Sequence, residues 1–303
     1  MKTTLLSLLA LGASTVSAFP STMIGHKHQH LHAPAKRAAS SWSDGNSRSY
    51  GIAYDLMGDS GCRPASQVQS EVGELVGQGY TQIRTYDIGC DVGVLANAIS
   101  QHPGVKLFAG LNTIANLQGD LQKLIGFLQP YFWLVETINI GNELVNAGIS
   151  DAGSVAAAVG TARGILQAAG YTGNVVTVDT FVAHLANPGL CAASDYCAAN
   201  IYAFFDGNVG SGDAGGFVQR MKSAVAGIAG GKEVRVTESG WSSCGGNIGA
   251  AIADPTNKAA AIASIKGAFA QDQSDVFIFQ AFDATYKAAI SGAREACFGV
   301  NGS

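Results

Sequence analysis

The chain has 303 residues, of which 47% are hydrophobic and only 13% are charged. Its formal net charge is -4 at pH 7 and its pI is about 5.8. Because nucleic acids and anionic membranes attract basic proteins, this balance argues against either as a partner. A neutral polar ligand suits it better.

The first predicted element is a secretory signal peptide at residues 1–18. The segment MKTTLLSLLALGASTVSA combines Lys2, an apolar run and a small-residue end, which indicates cleavage after Ala18. Its apolar run is too short and too interrupted to favour a membrane span, and no later segment offers about 18 uninterrupted apolar residues. The sequence therefore predicts a soluble, secreted protein with no membrane partner.

Residues 19–37 read as a propeptide that ends at the dibasic pair Lys36-Arg37. A metal-binding tract is the alternative, since histidines alternate here. However, alternating histidines without cysteines or carboxylates make a poor metal cage, which favours the propeptide. Residues 38–303 then form one domain, whose size suits an α/β barrel. The four histidines are His26, His28, His30 and His32.

All six cysteines lie in the predicted domain, which suits an oxidising compartment. No two of them form a CxxC pair, so we expect disulfide bonds and no zinc site. The residues alone do not choose among the possible pairings. The cysteines are Cys62, Cys90, Cys191, Cys197, Cys244 and Cys297.

Eight short β-branched or aromatic runs alternate with Ala- and Leu-rich helical segments. Repeated strand–helix alternation predicts a parallel sheet with crossover helices, closed into a single (β/α)8 TIM barrel. An open doubly wound sheet is the alternative, but the segment YDLMGDSGC after the first strand lacks the Gly-rich phosphate turn of that fold. The predicted strands are residues 49–55, 80–87, 105–112, 135–142, 174–180, 195–205, 233–240 and 275–283.

Two glutamates stand at matching ends of opposite strands. Glu143 follows strand four directly after Asn142, and Glu238 ends strand seven. Functional residues of such barrels lie at the C-terminal strand ends, so these carboxylates can approach within a few ångströms. One carboxyl as proton donor and one as nucleophile or base is what glycoside hydrolysis requires. A salt bridge or helix cap is the alternative for either Glu alone.

Other carboxylates fit different roles. Glu136 and Glu233 begin strands four and seven, on the face of the barrel that serves stability. Asp87, Asp179 and Asp283 lie at or after strand ends, where they can support the site or bind sugar.

Six motifs follow one another along the domain: YGIAYD, IRTYD, GNE at 141–143, ANIYAFF, TESGW at 237–241 and AFDATYK. In this order they resemble the family-17 glycoside hydrolases, the barrels of plants and fungi that cleave β-1,3-glucan. The resemblance covers most of residues 38–303. It implies that Glu143 is the general acid/base and Glu238 the nucleophile of a retaining enzyme that needs neither metal nor organic cofactor.

Several neighbours of the two carboxylates are predicted to bind substrate. Asn142 can donate a hydrogen bond to the sugar 2-hydroxyl, and Tyr202 can donate its hydroxyl to the Glu238 carboxylate. Aromatic side chains near strand ends can offer flat faces to glucosyl rings, although barrel packing is the alternative for each. These are Tyr54, Tyr86, Phe205 and Trp241, and barrel packing is also the alternative for Tyr202.

Two positions depart from the family pattern. Ser242 follows Trp241 where the family usually has Pro, so the path of that loop is less fixed. Ala284 replaces a Glu in the segment FDATYK, although Lys287 remains. These departures put subsite structure and efficiency in doubt more than the type of reaction.

The resemblance implies a monomeric, secreted β-1,3-glucan hydrolase of the extracellular space or cell wall, and leaves transglycosylation open. One alternative is a weakly active or inactive glucan-binding cell-wall protein, which Ala284 and Ser242 favour. Another is a barrel glycosidase for a different β-glucan linkage. On this barrel the disulfides would join neighbouring loops as Cys62–Cys90 and Cys244–Cys297, with Cys191–Cys197 closing a local loop.

Overall fold

The computed structural model of the protein describes residues 49–302. The predicted signal peptide, the propeptide and the first residues of the predicted domain lie outside this range. Their boundaries therefore stay predictions. No helix in the described range has both the length and the apolar character needed to cross a lipid bilayer.

Eight parallel strands close into a barrel in which each strand pairs with the next in the chain and β8 pairs with β1. This confirms the predicted (β/α)8 fold and the order of its strands. The strands are β1 Gly51–Ala53, β2 Gln82–Arg84, β3 Lys106–Leu111, β4 Val135–Asn142, β5 Asn174–Thr180, β6 Cys197–Asn200, β7 Val234–Ser239 and β8 Val276–Ile278.

Helices cover the outside of the barrel, which is why the strands read as almost continuous apolar runs. Asp91, Asp151 and Asp254 cap three helices by accepting backbone amides of the first turn. The helices are α1 Ala65–Gly77, α2 Val92–Ser100, α3 Leu117–Leu128, α4 Ala152–Ala168, α5 Phe181–Ala186, α6 Gly189–Ala193, α7 Ala214–Ile228, α8 Pro255–Ala268 and α9 Ala288–Ser291.

The sixth predicted strand is longer than the one observed. Residues 195–205 were expected to be extended, but β6 ends at Asn200. The chain then leaves the ladder, so that the aromatic residues of the segment IYAFF form a loop over the C-terminal end of the barrel. Aromatic residues are typical of strands, which is why the prediction was too long. Here they line the C-terminal end of the barrel instead.

Three disulfide bonds are present, and they confirm the predicted pairing. Cys62–Cys90 joins the loops after β1 and β2, and Cys244–Cys297 joins those after β7 and β8. Cys191–Cys197 ties α6 to the start of β6. Two of the three bonds thus link neighbouring loops at the C-terminal end of the barrel.

The opposite end of the barrel contains a separate buried charge cluster. The Arg235 guanidinium donates from Nε to Glu233 at 2.8 Å and from Nη1 to Glu136 at 3.5 Å. The same guanidinium lies 4.8 Å from the centroid of the Tyr196 ring. Glu136 and Glu233 therefore neutralise a buried cation away from the predicted site, as expected from their positions at strand starts.

The barrel interior is packed so closely that some positions accept only glycine. A Cβ added to Gly110 of β3 would lie 1.7 Å from the Asn139 side-chain oxygen, inside the barrel. Gly160, which is exposed on α4, has open space around the same position.

We therefore expect Gly110→Ala to lower the free energy of unfolding by about 1 to 3 kcal/mol through overpacking. The matched change Gly160→Ala should raise it by up to about 1 kcal/mol, because alanine favours the helix. Denaturant titration of both variants measures this difference. Equal stability of the two variants would contradict the packing described here.

Candidate active site

The two candidate carboxylates lie at the same end of the barrel and are connected by a hydrogen-bonded bridge. Asn200 of β6 donates its amide to Glu143 Oε1 at 2.7 Å. Arg84 of β2 lies 3.5 Å from the Asn200 side-chain oxygen and donates to Glu238 Oε1 at 2.8 Å. The bridge Glu143–Asn200–Arg84–Glu238 therefore connects the two carboxylates across the barrel.

The backbone at the end of β4 brings two consecutive side chains into this site. Residues 139 to 142 of β4 pair with residues 176 to 178 of β5, so the strand carries one extra residue, and Gly141 there has φ 80. Among residues 49–302, Glu143 is the one non-glycine residue with positive φ, at 55°. In a regular strand neighbours point to opposite faces, so this distortion lets Asn142 contact Arg84 while Glu143 contacts Asn200.

Glu238 is a buried carboxylate with two strong donors. Its side chain is 7% exposed, and it forms an ion pair with the fully buried Arg84 at 2.8 Å. The Tyr202 hydroxyl donates to its other oxygen, Oε2, at 2.6 Å, which is the hydrogen bond that the sequence predicts. Hydrogen bonds to both oxygens compensate for removing the charge from water.

Glu143 has the opposite electrostatic environment. Burial first, and then the negative charge of Glu238, raise the pKa of Glu143 to about 8, while the Asn200 hydrogen bond and the Arg84 charge oppose this rise. Near neutral pH Glu143 is therefore protonated, and it lies beside Glu238, which is bound by Arg84 and Tyr202. This is the asymmetry that a proton donor and a nucleophile need.

The remaining predicted aromatics divide between the open surface and the core. The Phe205 side chain is 39% exposed at the C-terminal end of the barrel. Tyr86 is half-buried, with the Arg84 guanidinium 4.6 Å from its ring centroid. The Tyr202 ring packs edge-on against Phe279 and Phe298, which fixes its hydroxyl towards Glu238.

The prediction of ligand contact is wrong for Tyr54 and Trp241, because both side chains are fully buried. Tyr54 donates its hydroxyl to Glu71 at 2.5 Å. Trp241 donates its indole N–H to the Ile252 carbonyl at 2.8 Å, and its ring packs 5.2 Å from that of Phe204. Barrel packing, the alternative for both, is what the structure shows.

The two departures from the family pattern also have structural outcomes. The hydroxyl of the buried Ser242 donates to the Arg294 carbonyl at 2.7 Å and accepts from the Cys244 amide at 3.3 Å, so hydrogen bonds fix the loop where the family usually has proline. Ala284 is buried, and Lys287 forms an ion pair with Asp55 at 3.1 Å. Lys287 therefore has a carboxylate partner in Asp55, although residue 284 is an alanine and carries no carboxylate.

Sequence reasoning missed three residues of the site. Arg84 and Asn200 carry polar groups inside otherwise apolar strands, and that anomaly was the available signal. Glu295 lies near Glu238: burial and the Glu238 charge raise its pKa, and Lys287 opposes this rise. Nothing in the sequence pattern points to Glu295, because it comes from a short 3-10 turn. No group of three or more potential metal ligands occurs within residues 49–302.

The raised pKa of Glu143 makes a prediction about stability. Folding favours its protonated form, so a stabilising contribution that is complete below pH 4.5 is lost as pH rises through about 8. Glutamine cannot ionise, and we expect Glu143→Gln to gain about 4 kcal/mol over wild type between pH 4 and pH 8. Urea titrations at both pH values measure it, with the exposed Glu74→Gln as control. If the difference in unfolding free energy between Glu143→Gln and wild type were the same at both pH values, the raised pKa of Glu143 would be contradicted.

Comparisons with known proteins show the family to which the chain belongs. Residues 51–299 match the model of the family described as the BtgE/BtgC glycoside hydrolase domain. The chain is 38% identical over 248 residues to the cell surface mannoprotein MP65 of Candida albicans, covering 80% of this chain and 64% of that protein. It is 36% identical over 242 residues to the Saccharomyces cerevisiae protein named "Probable family 17 glucosidase SCW10", covering 78% and 60%.

A solved structure shares the fold. The family-17 β-1,3-glucanosyltransferase of Rhizomucor miehei superposes with a TM-score of 0.73 at 22% identity, covering 84% of this chain and 93% of that one. The chain spans about three fifths of the length of the two relatives above. The match over residues 51–299 confirms the resemblance drawn from the motifs: the chain belongs to the BtgE/BtgC glycoside hydrolase domain family.

Proposed function

We propose that the chain is a retaining β-1,3-glucan hydrolase in which Glu143 is the general acid/base and Glu238 the nucleophile. The observation that carries this proposal is the bridge that joins Glu143, whose pKa burial raises to about 8, to the Arg84-bound Glu238 at one end of the barrel. A carboxyl pair with divided protonation can attack an anomeric carbon and protonate the leaving oxygen in one step.

In the first step the Glu238 carboxylate forms a bond to the anomeric carbon as the glycosidic bond breaks. Glu143 gives its proton to the departing oxygen, so the leaving sugar departs as a neutral alcohol. Formation of the glycosyl ester removes the Glu238 charge, and with it one cause of the raised pKa of Glu143. Glu143 is then a carboxylate that can accept a proton from the second nucleophile.

In the second step water or a sugar hydroxyl attacks the same carbon and transfers its proton to Glu143. Water gives hydrolysis and a sugar hydroxyl gives transglycosylation, with retained configuration in both cases. The Asn142 side-chain oxygen accepts from Arg84 at 2.8 Å, which leaves its amide free to donate to the sugar 2-hydroxyl. Asn142 thereby assists both steps.

The substrate proposal follows from family and surface chemistry. The Rhizomucor relative in complex with laminaritriose shares this fold, and two relatives are a cell surface mannoprotein and a family-17 glucosidase. The exposed ring of Phe205, with the half-buried Tyr86 and Tyr202, suits glucosyl rings. We assign a secreted monomer acting on cell-wall β-1,3-glucan, without nucleic acid, membrane, metal or organic cofactor.

A second candidate function is glucan binding without turnover. Position 284, where the family usually has a glutamate, is a buried alanine. Incubation with reduced β-1,3-gluco-oligosaccharides separates the candidates. Shorter products mean hydrolysis and longer products mean transfer, whereas unchanged substrate together with measurable binding overturns the enzymatic proposal.

We expect Glu238→Gln to reduce kcat on these oligosaccharides by a factor of about 10³ or more, because no nucleophile remains. Glu143→Gln should lose a factor of about 10² to 10⁴, but far less on a substrate with a dinitrophenol leaving group, which needs little protonation. Stopped assays with product chromatography measure both, with the exposed Glu74→Gln as the matched control. Near-normal turnover in either variant would remove that residue from its role.

A further inference from the structure

The turn that follows Glu143 is bound to a buried carboxylate on the neighbouring strand. Asp179 of β5 is 1% exposed. Its Oδ2 accepts the Val145 amide at 2.9 Å, and its Oδ1 accepts those of Asn146 at 3.3 Å and Thr180 at 2.8 Å. Two of these amides lie two and three residues after Glu143, so Asp179 joins the turn carrying Glu143 to the barrel wall.

The conformation of Glu143 requires such a restraint. A left-handed backbone conformation strains any residue other than glycine, and it persists only where the surroundings fix it. The Glu143 amide donates to the Val178 carbonyl at 2.9 Å, and its carbonyl accepts the Ala147 amide at 3.0 Å. Asp179 holds the residues between these anchors. Without it, relaxation of the turn would move the Glu143 carboxyl away from Asn200.

Asp179 also contributes negative charge near Glu143: burial raises the pKa of Asp179, and its three backbone hydrogen bonds oppose that rise. Four groups face Glu143, one from each of four strands: Arg84 of β2, Asp179 of β5, Asn200 of β6 and Glu238 of β7. Burial raises the pKa of Glu143 most, the charges of Glu238 and Asp179 raise it further, and Asn200 and Arg84 lower it. In the proposed reaction the Glu238 charge disappears on ester formation, whereas the Asp179 charge does not change.

We propose that Asp179 is a positioning residue of the catalytic reaction, which holds Glu143 in its left-handed conformation without itself contacting the substrate. The assignment rests on the proposed function of Glu143 as the acid/base. It is carried by the three amide hydrogen bonds to a buried carboxylate and by the strained backbone beside them.

The test is Asp179→Asn, which keeps the size of the side chain but removes its charge and turns an NH2 group towards a backbone amide. We expect kcat/KM on reduced β-1,3-gluco-oligosaccharides to fall by about 10- to 100-fold. The loss should be much smaller on a dinitrophenyl substrate, which needs little acid assistance. The alkaline limb of the pH profile should move to lower pH, because one charge that favours protonated Glu143 is gone.

Asp151→Asn is the matched control, since Asp151 also accepts a backbone amide, that of Ser154 at 2.9 Å, but at the start of α4. It should leave the pH profile and the leaving-group dependence unchanged. If Asp179→Asn lowered turnover of both substrates equally with an unmoved alkaline limb, Asp179 would be merely structural and the proposal would be wrong. Asp179→Glu keeps the charge, should retain the alkaline limb, and replaces Asp179→Asn if that variant does not fold.

Failure of the proposed function is distinguishable from failure of this inference. If wild type turns over no β-glucan, the function falls, and Asp179 is tested by carbon-13 NMR titration of labelled glutamate carboxyls. Glu143→Gln identifies the Glu143 signal in that experiment. A lower pKa of Glu143 in Asp179→Asn than in wild type supports the inference, and an unchanged pKa overturns it.

Discussion

The buried guanidinium of Arg84 is the interaction on which the candidate site depends. It contacts Glu238, Asn142 and the Thr237 carbonyl, the last at 2.7 Å, and thereby couples β2, β4 and β7. A buried cation without anionic and carbonyl partners would cost several kcal/mol. The same contacts that make its burial tolerable therefore fix the side chains proposed to act on sugar, so that stability and chemistry share one set of hydrogen bonds.

Strain and charge are both concentrated at Glu143. Its φ of 55° and its raised pKa each oppose folding at neutral pH, and neither would persist without neighbouring groups. Asn200 donates a hydrogen bond to the Glu143 carboxyl, and Asp179 accepts hydrogen bonds from the turn that follows Glu143. The barrel supplies these groups from two adjacent strands, β5 and β6, which shows how a rigid scaffold can hold a residue that would otherwise relax.

The sequence predicted the barrel because strand–helix alternation is a local pattern repeated along the chain. It predicted Glu143, Glu238 and the Tyr202 hydrogen bond because these lie at strand ends within recognisable motifs. It failed for Tyr54 and Trp241, since an aromatic near a strand end can turn to either side, and only packing decides. The contacts of Arg84 and Asn200 could not be predicted for a similar reason. Their partners come from distant strands, and no local sequence pattern specifies those partners.

The disulfides have a consequence for how the rim of the barrel deforms. Cys62–Cys90 and Cys244–Cys297 bind the loops after β1, β2, β7 and β8 into two cross-linked pairs. In the described residues, the loops after β3, β4, β5 and β6 have no disulfide to a neighbouring loop, and the turn carrying Glu143 is among them. Covalent cross-links therefore restrain one half of the rim, whereas in the half that carries Glu143 the restraint comes from hydrogen bonds such as those of Asp179, which a change of a single side chain can remove.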